Sequence, residues 1–82
     1  MPVIARFFGI VIKLYFREHG VPHFHALYGE YNGVFETESL EMTEGDLPPR
    51  AKNLVLEWAR KYQKELLVMW NTQDFRQLPG LE

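Results

Sequence analysis

The dipeptide Gly29-Glu30 restricts the fold of this sequence more than any other feature. It is flanked by two runs rich in aromatic and β-branched residues, His23 to Tyr28 and Tyr31 to about Glu38. A two-residue connection with Gly between such runs predicts a tight β-hairpin. Pivoting there sets Tyr28 opposite Tyr31, Ala26 opposite Gly33, Phe24 opposite Phe35 and His23 opposite Glu36. That register sorts the side chains: Phe24, Ala26, Tyr28, Tyr31, Gly33 and Phe35 share one face, while His23, His25, Leu27, Asn32, Val34 and Glu36 share the other. A slip of one residue would mix rings with charges on both faces.

Upstream, residues 10–17 alternate Ile10, Ile12, Leu14 and Phe16 with Val11, Lys13, Tyr15 and Arg17, the period of a strand with one face inward. Gly9 suggests a bend or bulge that sets apart the short Val3 to Phe7 stretch. Glu18-His19-Gly20-Val21-Pro22 reads as the hairpin loop into the next strand. With that loop Phe16 faces Phe24, Leu14 faces Ala26, Tyr15 faces His25 and Arg17 faces His23. Downstream, Leu40 and Met42 point to a weak fourth strand or an irregular edge.

Leu47 and Pro48 each precede a proline and are pushed out of the helical region, so Pro49 is the natural first residue of a helix reaching about residue 70. Ala51, Leu54, Val55, Trp58, Ala59, Tyr62, Leu66 and Met69 fall on one helical face and should cover the ring-rich sheet face. Leu56 and Leu67 form a minor second stripe. After Trp70 the chain turns polar, and a tail over 71–82 is expected to fray around Pro79-Gly80. The reading is a single α+β domain over residues 1–82, an antiparallel three- to four-stranded meander packed by one C-terminal amphipathic helix.

A chain of 82 residues buries only about 60% of the surface it exposes unfolded. Its 15% aromatic content supplies large buried area per side chain. The absence of Cys excludes disulfides and thiolate metal sites. Arg6 and Lys13 interrupt the apolar start, which has no cleavage pattern, and no run approaches the roughly 20 apolar residues of a membrane span. A cytoplasmic location with no membrane association is the expectation. The net charge is −2, with six acids and no base between Glu30 and Asp46. Strong DNA binding is not indicated.

The outward face should gather Tyr15, Arg17, His23, His25 and Glu36, with cross-strand neighbours about 5 Å apart. Three readings stand side by side. The first is general acid–base chemistry, with two imidazoles sharing proton donation and abstraction while Arg17 holds a phosphate; this suits metal-independent RNA cleavage and needs no cofactor. The second is a divalent metal held by His23, His25 and Glu36, since His-x-His on a strand puts both rings on one side. The third is an ordinary solvated sheet face, where such residues pair across strands. His19 reads as a turn residue, Tyr15 as a packing residue or proton donor, and Trp58 and Trp70 as packing. The acidic run resists edge-to-edge pairing or docks onto a basic partner.

Several blocks together resemble the bacterial "domain of unknown function 4160" family. They are Arg6-Phe7-Phe8-Gly9-Ile10-Val11-Ile12, Pro22-His23-Phe24-His25-Ala26, Tyr28-Gly29-Glu30-Tyr31, Glu44-Gly45-Asp46-Leu47-Pro48-Pro49-Arg50 and Val55-Leu56-Glu57-Trp58-Ala59. The match is collinear over roughly residues 1 to 70, and the family's Pro-His-x-His block falls on His23 and His25. The resemblance implies a small cytoplasmic protein encoded beside another small domain, in the manner of toxin–antitoxin pairs, and hence a small protein partner. Asn71 to Glu82 departs from the longer basic-hydrophobic ending of the family.

Overall fold

A computed structural model describes residues 3–15 and 20–81. Five strands form one antiparallel sheet in chain order: β1 (Val3–Phe7), β2 (Ile10–Lys13), β3 (His23–Tyr28), β4 (Tyr31–Glu36) and β5 (Met42–Asp46). One helix, α1 (Pro49–Thr72), follows. The class is α+β, but the sheet has five strands where the sequence suggests three to four.

The fifth strand is Val3–Phe7, and the weak fourth strand expected at Met42 is present as β5. Phe8 and Gly9, with φ of 48° and 81°, form a two-residue reversal that pairs Phe7 with Ile10, so Val3–Phe7 joins the sheet as an edge strand. That turn ordinarily takes Asn-Gly, and a Phe in its first position conceals it. At the other edge Met42–Asp46 pairs with β4, with a register shift between Val34 and Phe35.

The central hairpin has the register set by Gly29-Glu30, from His23 opposite Glu36 to Tyr28 opposite Tyr31. The β2–β3 register differs from expectation by two residues: Lys13, not Tyr15, lies opposite His25, and Ile12, not Leu14, opposite Ala26. An even shift leaves every side chain on its expected face. The β2–β3 ladder ends at the Lys13–His25 pair, while Phe24 and His23 go on pairing with β4. Phe16, Arg17, Glu18 and His19, and with them the end of the expected strand and the Arg17–His23 pair, lie outside the described residues.

The helix covers the inner face. Ala51, Val55, Trp58, Ala59, Leu66 and Met69 are buried against Ile4, Phe7, Ile10, Ile12, Leu14, Phe24, Ala26 and Phe35. Phe24 stacks on Phe35 at 5.3 Å, and Trp58 meets Phe7 at 5.6 Å and Phe24 at 6.2 Å. Gln63 Nε2 donates to the carbonyls of Thr37 and Glu38, fastening the β4–β5 connection to the helix beside the non-helical Tyr62.

The end of the chain is docked instead of frayed. Leu78 N–H donates to Ile4 O along the outer edge of β1, and Trp58 Nε1 donates to Pro79 O. Phe75, Leu78 and Leu81 pack on the core. These three apolar side chains, spread among polar ones, give the segment enough buried area to hold it, and the hydrogen bond covers an otherwise open strand edge.

Gly45 shows how little room the second edge leaves. It sits at φ 83°, and a β-carbon there would collide with the Asn32 carbonyl oxygen. Gly29, at φ 59°, faces open space. Gly45→Ala is therefore expected to cost about 2–3 kcal/mol, against about 1 kcal/mol for Gly29→Ala. Urea denaturation measures both, and equal losses would mean that β5 does not pack on β4 as described.

Candidate functional site

Apart from the approach of Trp70 to His23, no helix among the described residues packs over the outer sheet face. The period-two geometry of β3 projects His23 and His25 onto it, flanking the inward Phe24. Their ring centroids lie 5.5 Å apart, at an interplanar angle of 67°. Tyr15 meets the His25 ring edge-on at 4.5 Å, as a diagonal contact and not the direct opposition expected. At the other end Trp70 lies 4.8 Å from His23. Tyr15, His25, His23 and Trp70 thus form a continuous row of rings.

Two polar groups flank the row. Lys13 is directly opposite His25, and Glu36 directly opposite His23. Tyr15, Lys13, His23, His25 and Glu36 are all half-buried, which keeps them reachable while restricting their motion. His23 Nδ1 lies 2.8 Å from Val21 O. A carbonyl can only accept, so Nδ1 carries the proton, and in the neutral ring Nε2 is the basic nitrogen. Glu36 Oε1 accepts from Ser39 Oγ at 3.2 Å, and Ser39 Oγ in turn accepts from the Glu41 N–H.

The structure therefore brings Tyr15, His23, His25 and Glu36 together; Arg17 lies outside the described residues. Among the described residues no three His, Asp or Glu side chains are arranged to hold a metal ion. Of the metal set His23, His25 and Glu36, His23 holds Val21 O through Nδ1 and Glu36 holds Ser39 Oγ through Oε1, which orients both side chains.

Two members of the site escape the sequence reading. Lys13 belongs to the outward set with Val11 and Tyr15, but the two-residue register error placed it away from His25. Trp70 gives no local signal. The helix is kinked at the non-helical Tyr62, and Trp70 lies in the part beyond the kink. That part of the helix reaches the strand end where His23 sits.

Charge is divided across the same face. Register places Arg6 and Lys13 on the β1–β2 side and Glu44 and Asp46 on the β5 side, with Val11, Leu27 and Val34 half-buried between them. Neither of two surface cavities, of about 370 and about 430 Å³, is lined by these residues. The site is a face and not a pocket. No helix among the described residues is long and apolar enough to cross a membrane.

Fold and site define a small α+β protein with one covered and one open sheet face, the open one bearing a histidine pair. The chain belongs to the family described as domain of unknown function (DUF4160), whose model matches residues 9–71. No curated protein and no solved structure matches it.

Proposed function

We propose that the open face is an acid–base site that cleaves single-stranded RNA without a metal, and that the chain acts as the toxic member of a toxin–antitoxin pair in the bacterial cytoplasm. The observation that carries the reading is the His23–His25 pair, 5.5 Å apart and half-buried, with the His23 tautomer set by Val21 O. Two imidazoles at such a spacing divide the two proton transfers of the reaction. His25 takes the proton of a ribose 2′-hydroxyl, whose oxygen attacks the adjacent phosphorus. The bond from phosphorus to the 5′-oxygen breaks, and protonated His23, keeping its Nδ1–H on Val21, gives the Nε2 proton to the departing oxygen. Lys13, opposite His25, and Arg17 are the cations for the phosphate. Tyr15 and Glu36 are positioning residues, one against the His25 ring and the other opposite His23. A flat face suits a polymer whose bases stack along rings better than a small substrate that needs enclosure.

The test is chemical. Purified protein incubated with single-stranded RNA should leave 2′,3′-cyclic phosphate and 5′-hydroxyl ends, with a bell-shaped pH dependence and no loss of rate on chelation. A single 2′-deoxy substitution should block cleavage at that position. Intact RNA in the presence of folded protein would end this reading.

A second reading, protein docking without chemistry, is favoured by the apolar strip of Val11, Leu27 and Val34 on the same face. It predicts a stoichiometric complex with a small protein encoded nearby, weakened by Leu27→Glu and indifferent to His25→Ala. On the catalytic reading the same partner would neutralise the site by covering it.

A further inference from the structure

Five large apolar side chains are exposed among the described residues: Phe8, Val21, Tyr28, Tyr31 and Val68. Three of them, Phe8, Tyr28 and Tyr31, stand together at the tips of the β1–β2 and β3–β4 hairpins, because register joins Ile10 to Tyr28 and Tyr28 to Tyr31. Clustered exposed rings at one end of a sheet mark a contact surface more than scattered ones do.

Phe8 is anomalous twice over. It is 58% exposed, and it holds φ at 48°, a conformation that Asn or Gly adopts at far less cost. A bulky apolar residue held in strained backbone and left in water contributes little to folding, and such strain concentrates where chains bind ligands.

Phe8 and Tyr28 form the walls of a cavity of about 370 Å³ whose other lining comes from Pro48, Ala51 and Leu54, with Arg50 at its rim. Among the described residues Arg50 is the one charged residue lining it. A hollow walled by Phe8, Tyr28 and Leu54 with one cation among its described lining complements a large apolar side chain carried beside a carboxylate. We infer that this cavity is a docking site for a peptide segment of a protein partner, one presenting an aromatic or leucine side chain next to a carboxylate. It lies on the helix side of the sheet, and the inference stands apart from the reading of the histidine face.

The probes are N-acetyl-L-phenylalanine and its amide, titrated into the isotopically labelled full chain and followed by the backbone amide resonances. The acid should shift Phe8, Gly9, Tyr28, Ala51 and Leu54 saturably in the millimolar range and bind about tenfold more tightly than the amide. Arg50→Gln should erase the difference between the two. Phe8→Asn should abolish binding of both while raising the melting temperature, which separates loss of the wall from loss of the fold. Equal affinity for acid and amide, or no saturable shift, overturns the inference. So does movement of the same resonances with protein concentration alone, which would make a second copy the occupant. Tighter binding of uridine 5′-monophosphate than of the acid would replace the peptide with a nucleotide and overturn it too.

Discussion

Trp58→Ala is expected to remove about 3–5 kcal/mol of stability, the cost of deleting a buried aromatic side chain. A chain of 82 residues holds roughly 4–12 kcal/mol in total, so the variant should lose a quarter or more of its stability and its urea midpoint should fall sharply. The size of the effect follows from what the indole joins. Fully buried, it lies 5.6 Å from Phe7 of β1, 6.2 Å from Phe24 of β3 and 5.5 Å from Tyr62 of α1. Its Nε1–H is also the donor to Pro79 O, so truncation releases the segment that covers the β1 edge. Trp58→Phe keeps a ring in the core and loses the donor, and is expected to cost about 1–3 kcal/mol. Urea titration followed by far-ultraviolet circular dichroism measures both. A Trp58→Ala midpoint within error of the wild type would mean that the helix does not lie on the sheet through this residue.

The sequence made the central hairpin legible because two independent constraints agree there. Gly29-Glu30 sets the pivot, and the alternation on either side sorts rings from polar groups only in that register. The β2–β3 connection has no comparable pivot. Alternation alone cannot distinguish registers that differ by two, because both put the same residues on the same face. Between β2 and β3 the expected faces therefore hold while the opposite partners do not, and Lys13 stands opposite His25 where the alternation suggests Tyr15.

The inner face was read in the same way, with one consequence. Tyr28 and Tyr31 point toward the helix side as their register requires, yet they are 37% and 40% exposed. They stand at the hairpin tip, where Pro48 and Leu54 line a hollow beside Tyr28 instead of closing over it. The docked ending was illegible for a different reason. Phe75, Leu78 and Leu81 have no helical or strand period, and they are held by tertiary contacts to β1 and Trp58 that local pattern does not encode.

The histidine pair supplies the other large effect. His25→Ala is expected to slow RNA cleavage by about 10²–10⁴-fold, the usual worth of a positioned acid or base. Stability should change by less than about 1 kcal/mol, since the ring lies half-buried on an uncovered face. His23→Ala should lose as much rate and also about 1 kcal/mol of stability, because it gives up the Val21 hydrogen bond and the Trp70 contact. Removing both rings should be hardly worse than removing one, since an acid and a base that serve one reaction act as a unit. Tyr15→Phe keeps the edge contact with His25 and should stay within a few-fold of wild type, whereas Lys13→Ala should weaken RNA binding, most visibly at low salt. Initial rates on end-labelled RNA, with urea midpoints on the same preparations, decide among these. Retention of wild-type cleavage by a folded His25→Ala protein would take the histidines out of the chemistry and leave the open face as a docking surface.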